Sequence, residues 1–377
     1  MQGISIIIFT TLLISLCTSG GARTYIVDDS GFANYESIQG AIDAASDGDT
    51  IYIKPGEYRE EIILNKSLTL HPLTGETDPI ILDGDGKLET AITINRDGCS
   101  LQGLTVRNYL GPAIDAGSKG NSFQENVIEN SNPAILARSS SENSILRNTI
   151  TNCQGGIVLW GDSSNNSIQE NKVSGCNSSI LIREAGGNQI LGNEITGAHW
   201  GIWLDNAQFC QVGSNEIESQ YFGILLQNSS AISINRNLVQ MQNPSAATNG
   251  ITLVNSSGIE LQTNRIDGGN IGLGLSACRD NRLSDNVIAG SQNAVIIKDS
   301  TGEDMANNSI IDAGYAFRIE NLSHSSIYQN RIEGSTTGVE LVGCLNDNIS
   351  ENKIEAVTDT AMLLTSSSAN SITGNTI

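Results

Sequence analysis

Residues 144–150 read Ser-Ile-Leu-Arg-Asn-Thr-Ile, and residues 167–173 repeat the pattern as Ser-Ile-Gln-Glu-Asn-Lys-Val. The shared pattern, apolar-x-x-Asn-x-apolar, recurs at intervals of 22 or 23 residues, with one interval of 27. Its asparagines are Asn126, Asn148, Asn171, Asn193, Asn215, Asn237, Asn264, Asn286, Asn308, Asn330, Asn352 and Asn375. A fixed period of this length indicates a solenoid, in which each repeat forms one coil and packs against its neighbours.

The repeats predict short strands rather than helices. Apolar and polar residues alternate around each Asn, and a second apolar pair follows, such as Ile157 and Leu159. A period of two indicates strands, and equivalent strands of successive coils would stack. We therefore predict an all-β fold, a right-handed parallel β-helix of about 13 coils. Leu104, at the Asn position 22 residues before Asn126, marks the first of these coils.

Three local features of the repeat have structural interpretations. The recurring Asn predicts a ladder of stacked amides that bond to their own turn and to the next coil. A Gly often precedes the second apolar pair, where we expect a sharp bend that leaves no room for a Cβ. These glycines are Gly156, Gly201, Gly223, Gly250, Gly272 and Gly338. The 27-residue interval indicates an insertion near Met241 to Asn249, either a binding loop or a tolerated surface bulge.

The N-terminal residues predict export. The apolar run from Ile4 to Cys17, followed by small residues, is typical of a signal peptide, and we expect residues 1–22 to be removed. After it, Asn34 as N-cap and apolar residues at helical spacing predict a short helix that ends before Asp47-Gly48 and caps the first coil.

The mature chain is expected to form a single β-helix domain over residues 23–377. Its N-terminal cap would cover residues 23–60, and the 22-residue repeats would cover about residues 80–377. The last repeat stops at Ile377 without a capping pattern. We therefore expect the C-terminal cap to be missing, because the chain is a fragment or because another chain covers the open coil.

The charge balance limits the classes of partner. The chain has 41 acidic and 20 basic residues, a net charge of -21. Nucleic acid is excluded as a partner, because phosphate binding needs a basic surface. The imbalance indicates solubility in an extracellular medium, with binding of divalent cations such as Ca²⁺ as the alternative; no other cofactor is expected.

No second apolar stretch is long enough for a membrane span, so we expect no transmembrane segment in the mature chain.

Three stretches near the start carry a family resemblance. Residues 37–45 read Ser-Ile-Gln-Gly-Ala-Ile-Asp-Ala-Ala, residues 48–58 read Gly-Asp-Thr-Ile-Tyr-Ile-Lys-Pro-Gly-Glu-Tyr, and residues 65–70 read Asn-Lys-Ser-Leu-Thr-Leu. They resemble the opening of pectin-lyase-like β-helices, and the later repeats resemble the NosD or CASH type, named for carbohydrate-binding proteins and sugar hydrolases. The resemblance covers nearly the whole mature chain. It implies the fold and three kinds of role: polysaccharide-acting enzymes, surface proteins, and the periplasmic factor for copper maturation of nitrous oxide reductase.

Stacking would turn the outward positions of the second strand into a surface. Ten residues after the Asn, four consecutive coils carry Val158, Leu181, Trp203 and Leu225. The predicted binding residues in this band are Trp160, Trp200, Trp203, Tyr221, Leu181 and Leu225. An apolar and aromatic strip beside charges is typical of sugar binding, because the CH face of a sugar ring stacks on an indole. The alternative is a contact surface for another domain or protomer.

The same band holds the candidate catalytic residues Arg183, Glu184 and Asp205. Glycosidases of this fold need clustered carboxylates, because a general acid and a base flank the scissile bond. The sequence lacks the Asn-Thr-Asp and Gly-His-Gly signatures of polygalacturonase-like enzymes and the Asp-Pro-His-Asp signature of alginate epimerases. A lyase is not excluded, because the resemblance implies that lyases of this fold use only an Arg base and scattered calcium-holding acids.

Metal donors and thiols are scattered along the chain. His71, His199 and His324 fall in distant coils, so the sequence predicts no copper site. Cys153 and Cys176 occupy the same repeat position in adjacent coils. They would lie within disulfide range, and either a bridge or a buried pair of thiols fits the spacing.

The leading hypothesis is a secreted or cell-surface β-solenoid, periplasmic in a Gram-negative host, that recognises a glycan or protein without catalysis. Its partner would be an extracellular polysaccharide or a surface protein. The main alternative is a polysaccharide lyase or glycoside hydrolase that acts on an acidic polysaccharide. A NosD-like accessory role in copper maturation is the third hypothesis.

Overall fold

The chain winds into a right-handed parallel β-helix with three strands in each regular coil. A computed structural model describes residues 21–73, 75, 78–242 and 248–377. Most of the predicted signal peptide and the tip of the predicted insertion lie outside these residues. Among the described residues, no helix is long and apolar enough to cross a membrane.

The strands form three rows along the axis, and all pairs are parallel. The first row is a sheet of sixteen strands. They are Thr24–Val27, Thr50–Ile53, Thr69–Pro72, Ser100–Gln102, Ser122–Gln124, Ser144–Leu146, Ser167–Gln169, Gln189–Leu191, Gln211–Gly213, Ser233–Asn235, Glu260–Gln262, Arg282–Ser284, Asp304–Ala306, Ser326–Tyr328, Asn348–Ser350 and Ser371–Thr373.

The second and third rows share the other sheet. The second row contains Gly56–Tyr58, Ile80–Asp83, Leu104–Arg107, Val127–Glu129, Thr149–Thr151, Lys172–Ser174, Leu238–Met241, Arg265–Asp267, Val287–Ala289, Ser309–Ile311, Arg331–Glu333 and Lys353–Glu355. The third row contains Ile62–Leu64, Ile92–Ile94, Ile114–Ala116, Ile135–Arg138, Gly155–Trp160, Ser178–Arg183, Asn249–Val254, Ile271–Ser276, Asn293–Lys298, Tyr315–Glu320, Thr337–Val342 and Thr360–Thr365. Two long strands, Glu194–Asp205 and Glu216–Gln227, run through both rows.

The sixteen strands of the first row correspond to about 16 coils, more than the predicted 13. The difference lies at the N-terminus, where Thr24–Val27, Thr50–Ile53 and Thr69–Pro72 stack under Ser100–Gln102. These coils have unequal lengths and lack the repeated Asn, so the spacing does not reveal them. At one strand spacing per coil the rod is roughly 70 Å long.

The capping helix spans Ile38–Ala44, and its N-cap is Ser37, not the predicted Asn34. The Ser37 hydroxyl accepts a hydrogen bond from the backbone N–H of Gly40, and the Glu60 carboxylate accepts from the first helical N–H groups. The helix ends three residues before Asp47 because Ala45 is extended. Its apolar side, which includes Ile38 and Ile42, is fully buried, so the helix covers the interior of the first coils.

The repeated Asn lies at the bend between the first and second rows rather than within a strand, and its predicted ladder is confirmed. Asn171 donates from its side chain to the Asn193 Oδ1 at 3.0 Å and to the carbonyl of Ile145 at 2.9 Å. Its backbone N–H donates to the same Oδ1 at 3.0 Å. The pattern continues from Asn126 to Asn375, so each buried amide links the coil before it to the coil after it. The predicted bond to the residue's own turn is present at Asn193, Asn264 and Asn330.

The interior is filled by ladders of aliphatic side chains. Ile145, Ile168, Ile190, Val212 and Ile234 are all fully buried at one position of consecutive first-row strands. Because residues of a strand alternate between faces, the residues between them point outward. The same alternation in the third row produces the surface described next.

Candidate functional site

The third row aligns the predicted strip. Its register places Val158, Leu181, Trp203 and Leu225 directly above one another, which confirms the predicted stacking. We call the outward ladder from Leu136 to Ile296 the row-three strip. Leu225, although outward, is only 7% exposed. The strip is therefore a packed apolar surface and not a series of separate exposed side chains.

The ladder extends beyond the four coils found in the sequence. Leu136 precedes Val158, and Thr252, Gly274 and Ile296 follow Leu225 in register. Leu136, Gly274 and Ile296 also lie ten residues after a repeated Asn, namely Asn126, Asn264 and Asn286, so extending the same count finds them. Thr252 is displaced, because the insertion places it fifteen residues after Asn237.

Charged and aromatic residues form one edge of the strip, at the ends of the third-row strands. Trp160, half exposed, lies in register between Arg138 and Arg183. The Arg183 Nε donates to the Asp205 Oδ2 at 3.1 Å, and the Arg183 guanidinium lies 5.3 Å from the centre of the Trp203 ring. The cation–π contact with Trp203 and the ion pair with Asp205 together hold Arg183 beside the strip.

Aromatic rings form the opposite edge, where the strands Glu194–Asp205 and Glu216–Gln227 continue across the bend. Trp200 meets Trp203 edge to face, with 4.9 Å between ring centres. The Trp203 Nε1 donates to the Gln227 Oε1 at 3.1 Å. Tyr221, 42% exposed, contacts His199 at the bend itself. The structure thus brings five predicted binding residues together on the row-three strip and its edges and places Tyr221 beside it.

The candidate catalytic residues do not converge. Arg183 and Asp205 form an ion pair with each other, and the Asp205 Oδ1 also accepts from the Asn228 amide at 3.3 Å. Glu184 lies beyond the strand end, in the left-handed conformation at φ 55°, and lines a different depression with Asp162. In a glycosidase, a general acid and a general base must both reach the scissile glycosidic bond. Arg183, Glu184 and Asp205 do not place two carboxylates around one such position.

Two buried carboxylates lie in a second polar ladder that the sequence pattern did not reveal. Asn121 and Asn143 begin it five residues before each repeated Asn, and Glu303 and Asp347 occupy the same position in later coils. Glu303 is 1% exposed, and burial raises its pKa to about 7. Burial also raises the pKa of Asp347. Because this ladder faces the interior, we interpret it as structural.

The buried thiols are neighbours but not bridged. Cys153 and Cys176 stack in adjacent coils, and both are free and buried in the structure. The hydrogen bond between the two thiols and their burial raise the pKa of Cys153. The disulfide stays a prediction. A count of free thiols in the denatured protein tests it, because a bridge would remove two.

The donors present do not fit a copper site. His71 contacts Tyr52 near the N-terminus, His199 lies at the bend beside Tyr221, and His324 lies in a left-handed turn of a later coil. Within the described ranges, no three His, Cys, Asp or Glu side chains gather where they could hold a metal ion. Copper sites in proteins draw on converging imidazole or sulfur ligands, and the three imidazoles of this chain lie in separate coils.

The fold and this surface define the class of protein: a right-handed parallel β-helix of the pectin-lyase-like type. The family described as periplasmic copper-binding protein (NosD) matches residues 42–239 and 200–348, and the chain belongs to the NosD family.

Comparisons with other known proteins give three further similarities. A DFA-IIIase from Arthrobacter chlorophenolicus A6, without its lid and in complex with GF2, superposes with a TM-score of 0.55 at 17% identity, over 78% of this chain and 98% of that one. The periplasmic alginate epimerase AlgG has a TM-score of 0.49 at 13% identity, over 79% of each chain. Pectinesterase 4 of Arabidopsis thaliana is 32% identical over 94 residues, which are 23% of this chain and 14% of that enzyme.

Proposed function

We propose that this protein is an exported β-solenoid that binds a glycan chain along the row-three strip and does not cleave it. The observation that carries the proposal is the half-exposed Trp160 between two arginines, beside a continuous apolar ladder that contains Trp203. An indole offers a flat apolar face for the CH face of a sugar. Arg183 and Gln227 contact Trp203 and supply polar groups beside its ring.

The charge distribution favours a neutral glycan. The whole chain carries a net charge of -21, which repels polyanions at long range. The arginines beside Trp160 are already paired, Arg138 with Asp115 and Arg183 with Asp205. A uronic acid polymer would have to compete with both carboxylates. The stretch of 94 residues that resembles a pectinesterase supports sugar as the ligand class.

Catalysis is the second candidate function, because Arg183 and Asp205 lie together at one edge of the strip. Their mutual ion pair and the position of Glu184, which lines a different depression, favour binding over bond cleavage. The family description suggests a role with copper, but the separate positions of the three histidines do not support a site in the described part of the chain.

The test is a glycan array that contains neutral glucans, galactans and mannans together with polyuronides, each with and without Ca²⁺. We expect binding to neutral chains, and about tenfold weaker binding in Trp160→Ala and in Trp203→Ala. Phe209→Ala is the matched control, because Phe209 is an exposed aromatic residue on the other depression. Unchanged affinity in both Trp variants would contradict the proposed site.

The same mixtures test catalysis. Products are followed by mass spectrometry, and unsaturated uronides by their ultraviolet absorbance. We expect the polysaccharides to remain intact. The appearance of shortened or unsaturated products that depend on Arg183 would replace the binding proposal with the enzymatic one.

A further inference from the structure

The row-three strip is part of a wider surface of the third row. Its ladder continues in register from Ile296 through Arg318 to Glu340, and we call the outward side of the third row over these ten coils the row-three face. With about 4.8 Å per coil and about 3.3 Å per residue, the face measures roughly 43 Å by 17 Å. Two such faces in contact would bury roughly 1,400 Å², within the range of stable protein–protein interfaces, about 1,200–2,000 Å².

The charges on the row-three face cancel, although the chain as a whole is strongly acidic, with a net charge of -21. Among the described residues, each charged side chain of these third-row strands is in an ion pair. The pairs are Arg138 with Asp115, Arg183 with Asp205, Lys298 with Glu320 and Arg318 with Glu340. Two copies of the chain would therefore repel each other least when they approach through this face.

Gly274 leaves a notch in the face, and the fold does not require a glycine there. At Gly223, a Cβ would lie 2.3 Å from the Val239 Cγ1, so the next coil excludes a side chain. At Gly274, a Cβ would meet nothing closer than 3.5 Å, and the backbone is not left-handed. Glycine weakens a strand interior, so this position sacrifices some stability without a backbone reason.

The notch suits an apolar group. It has a volume of about 290 Å³. Its walls are formed mainly by carbon atoms, from Thr252, Ile271, Gly274 and Ile296 among others. Carbon walls offer no hydrogen bonds, so burial of a large apolar side chain is the contact from which such a notch gains most.

Trp203 is a large side chain on the same strip, three coils from Gly274, with Leu225 and Thr252 between them. A two-fold axis that runs parallel to the strands, midway between Leu225 and Thr252, reverses the order of the coils between two facing copies. It therefore brings Trp203 of each copy opposite Gly274 of the other. Such a contact fills both notches at once, and a closed two-fold dimer is the commonest form of assembly.

The same axis opposes other residues that suit each other. The apolar pairs are Leu181 with Ile296 and Trp200 with Ile271. Two basic residues also meet, Arg183 and Lys298, but each keeps its own carboxylate partner. Those carboxylates, of Asp205 and Glu320, come within one coil of the opposing base and add an attraction between the copies.

We propose that two copies of this chain pack row-three face against row-three face about this axis, with Trp203 of each copy in the Gly274 notch of the other. This dimer goes beyond the proposed function and uses the same surface. A glycan on the row-three strip and a second copy of the chain exclude each other, so the glycan dissociates the dimer and the dimer hides the glycan site.

The experiment measures self-association by sedimentation equilibrium, from about 1 µM to about 300 µM chain, at low and high salt. Trp203→Ala removes the inserted side chain, and Gly274→Trp fills the notch. The double variant Trp203→Gly with Gly274→Trp exchanges the two. Phe209→Ala is the matched control, because Phe209 is an exposed aromatic residue on another depression. Thermal unfolding checks that each variant folds.

We expect a wild-type dimer with a dissociation constant of about 10 µM and self-association at least about tenfold weaker in each single variant. The double variant should recover the dimer, because the exchange again opposes a large and a small residue, and Phe209→Ala should leave it unchanged. High salt should strengthen the dimer, because it screens the repulsion between two acidic chains.

A monomer at every concentration, or a dimer that both single variants leave unchanged, would overturn the proposal. A dimer that the exchange fails to recover would overturn the alignment of Trp203 with Gly274. Neutral oligosaccharides added to the wild-type dimer separate this proposal from the proposed function. Dissociation by a bound oligosaccharide supports both, whereas a dimer that persists because no oligosaccharide binds contradicts the proposed function alone.

Discussion

Replacing Glu303 by Gln should stabilise this protein at neutral pH and leave it unchanged in acid. The Glu303 carboxyl lies in the interior ladder, where its Oε1 accepts from the Asn281 side chain at 3.2 Å and its Oε2 has no partner. Asp280 and Cys278 lie nearby, and the Ser325 hydroxyl accepts from the Glu303 backbone N–H at 2.9 Å. Gln keeps the shape and the bond from Asn281 but cannot ionise.

The size and sign of the effect follow from the pKa of Glu303. Burial raises it to about 7 from an ordinary value of 4.5. Below pH 4.5 the carboxyl is protonated in the folded and the unfolded chain, so its contribution to stability is fully present. As the pH rises towards 7, the unfolded chain loses the proton first and the folded state loses stability. A difference of about 2.5 between the two pKa values corresponds to an upper value of about 3 kcal/mol.

The assay is urea unfolding of the wild type and Glu303→Gln at several pH values, from about pH 4 to about pH 8. The free-energy difference between the two should be near zero at the acid end and should rise to about 3 kcal/mol in favour of Gln above about pH 7. Glu216→Gln, at an exposed strand end, is the matched control and should show no such rise. A difference that stays constant with pH would refute the assignment of a buried, protonated Glu303.

Further predictions concern the ladders. Asn215→Ala should destabilise the protein by about 3 kcal/mol, because it leaves the buried backbone N–H and side-chain amide of Asn193 without their shared acceptor. Asn375→Ala removes the same acceptor from Asn352 but should cost about 1 kcal/mol, because these bonds in the last coil are only partly buried and water can replace the lost acceptor. Urea unfolding checks both, and equal costs would contradict the ladder argument. Gly223→Ala should lower the melting temperature because of its contact with the next coil, whereas Gly274→Ala should raise stability by about 0.5–1 kcal/mol. Calorimetry of this matched pair tests the distinction, and the same sign in both would contradict it.

The 22-residue repeat determined most of the architecture. Such a period with alternating apolar positions has only one way to bury its aliphatic side chains, which is to stack coils in register. The vertical alignment of Val158, Leu181 and Trp203 follows from counting alone, and the structure confirms it. The Asn ladder was predictable for the same reason, since identical residues at one position of a stacked coil must meet.

The predictions are incomplete or wrong where the period is weak or where neighbouring side chains decide the outcome. The three additional coils at the N-terminus have unequal lengths and no repeated Asn, so only their pairing reveals them. At the glycines near the start of the third-row strands the sequence predicts sharp bends, but Gly156 and Gly250 lie within extended strands. Close approach of the next coil is the actual reason at Gly223, where a Cβ would collide with Val239 and Gly250.

The sequence by itself therefore determined the winding of the chain and the order of residues along each ladder, because both depend only on spacing. The tertiary structure alone decided which carboxylates pair, which glycine has no neighbour over its outer side and which buried carboxyl has an oxygen without a hydrogen-bond partner. Each of these outcomes depends on side chains one coil away, about 22 residues distant in the chain. Such neighbours pair Arg183 with Asp205, leave space beside Gly274 and bury the Glu303 carboxyl. Such contacts depend on packing between coils, which no local pattern encodes.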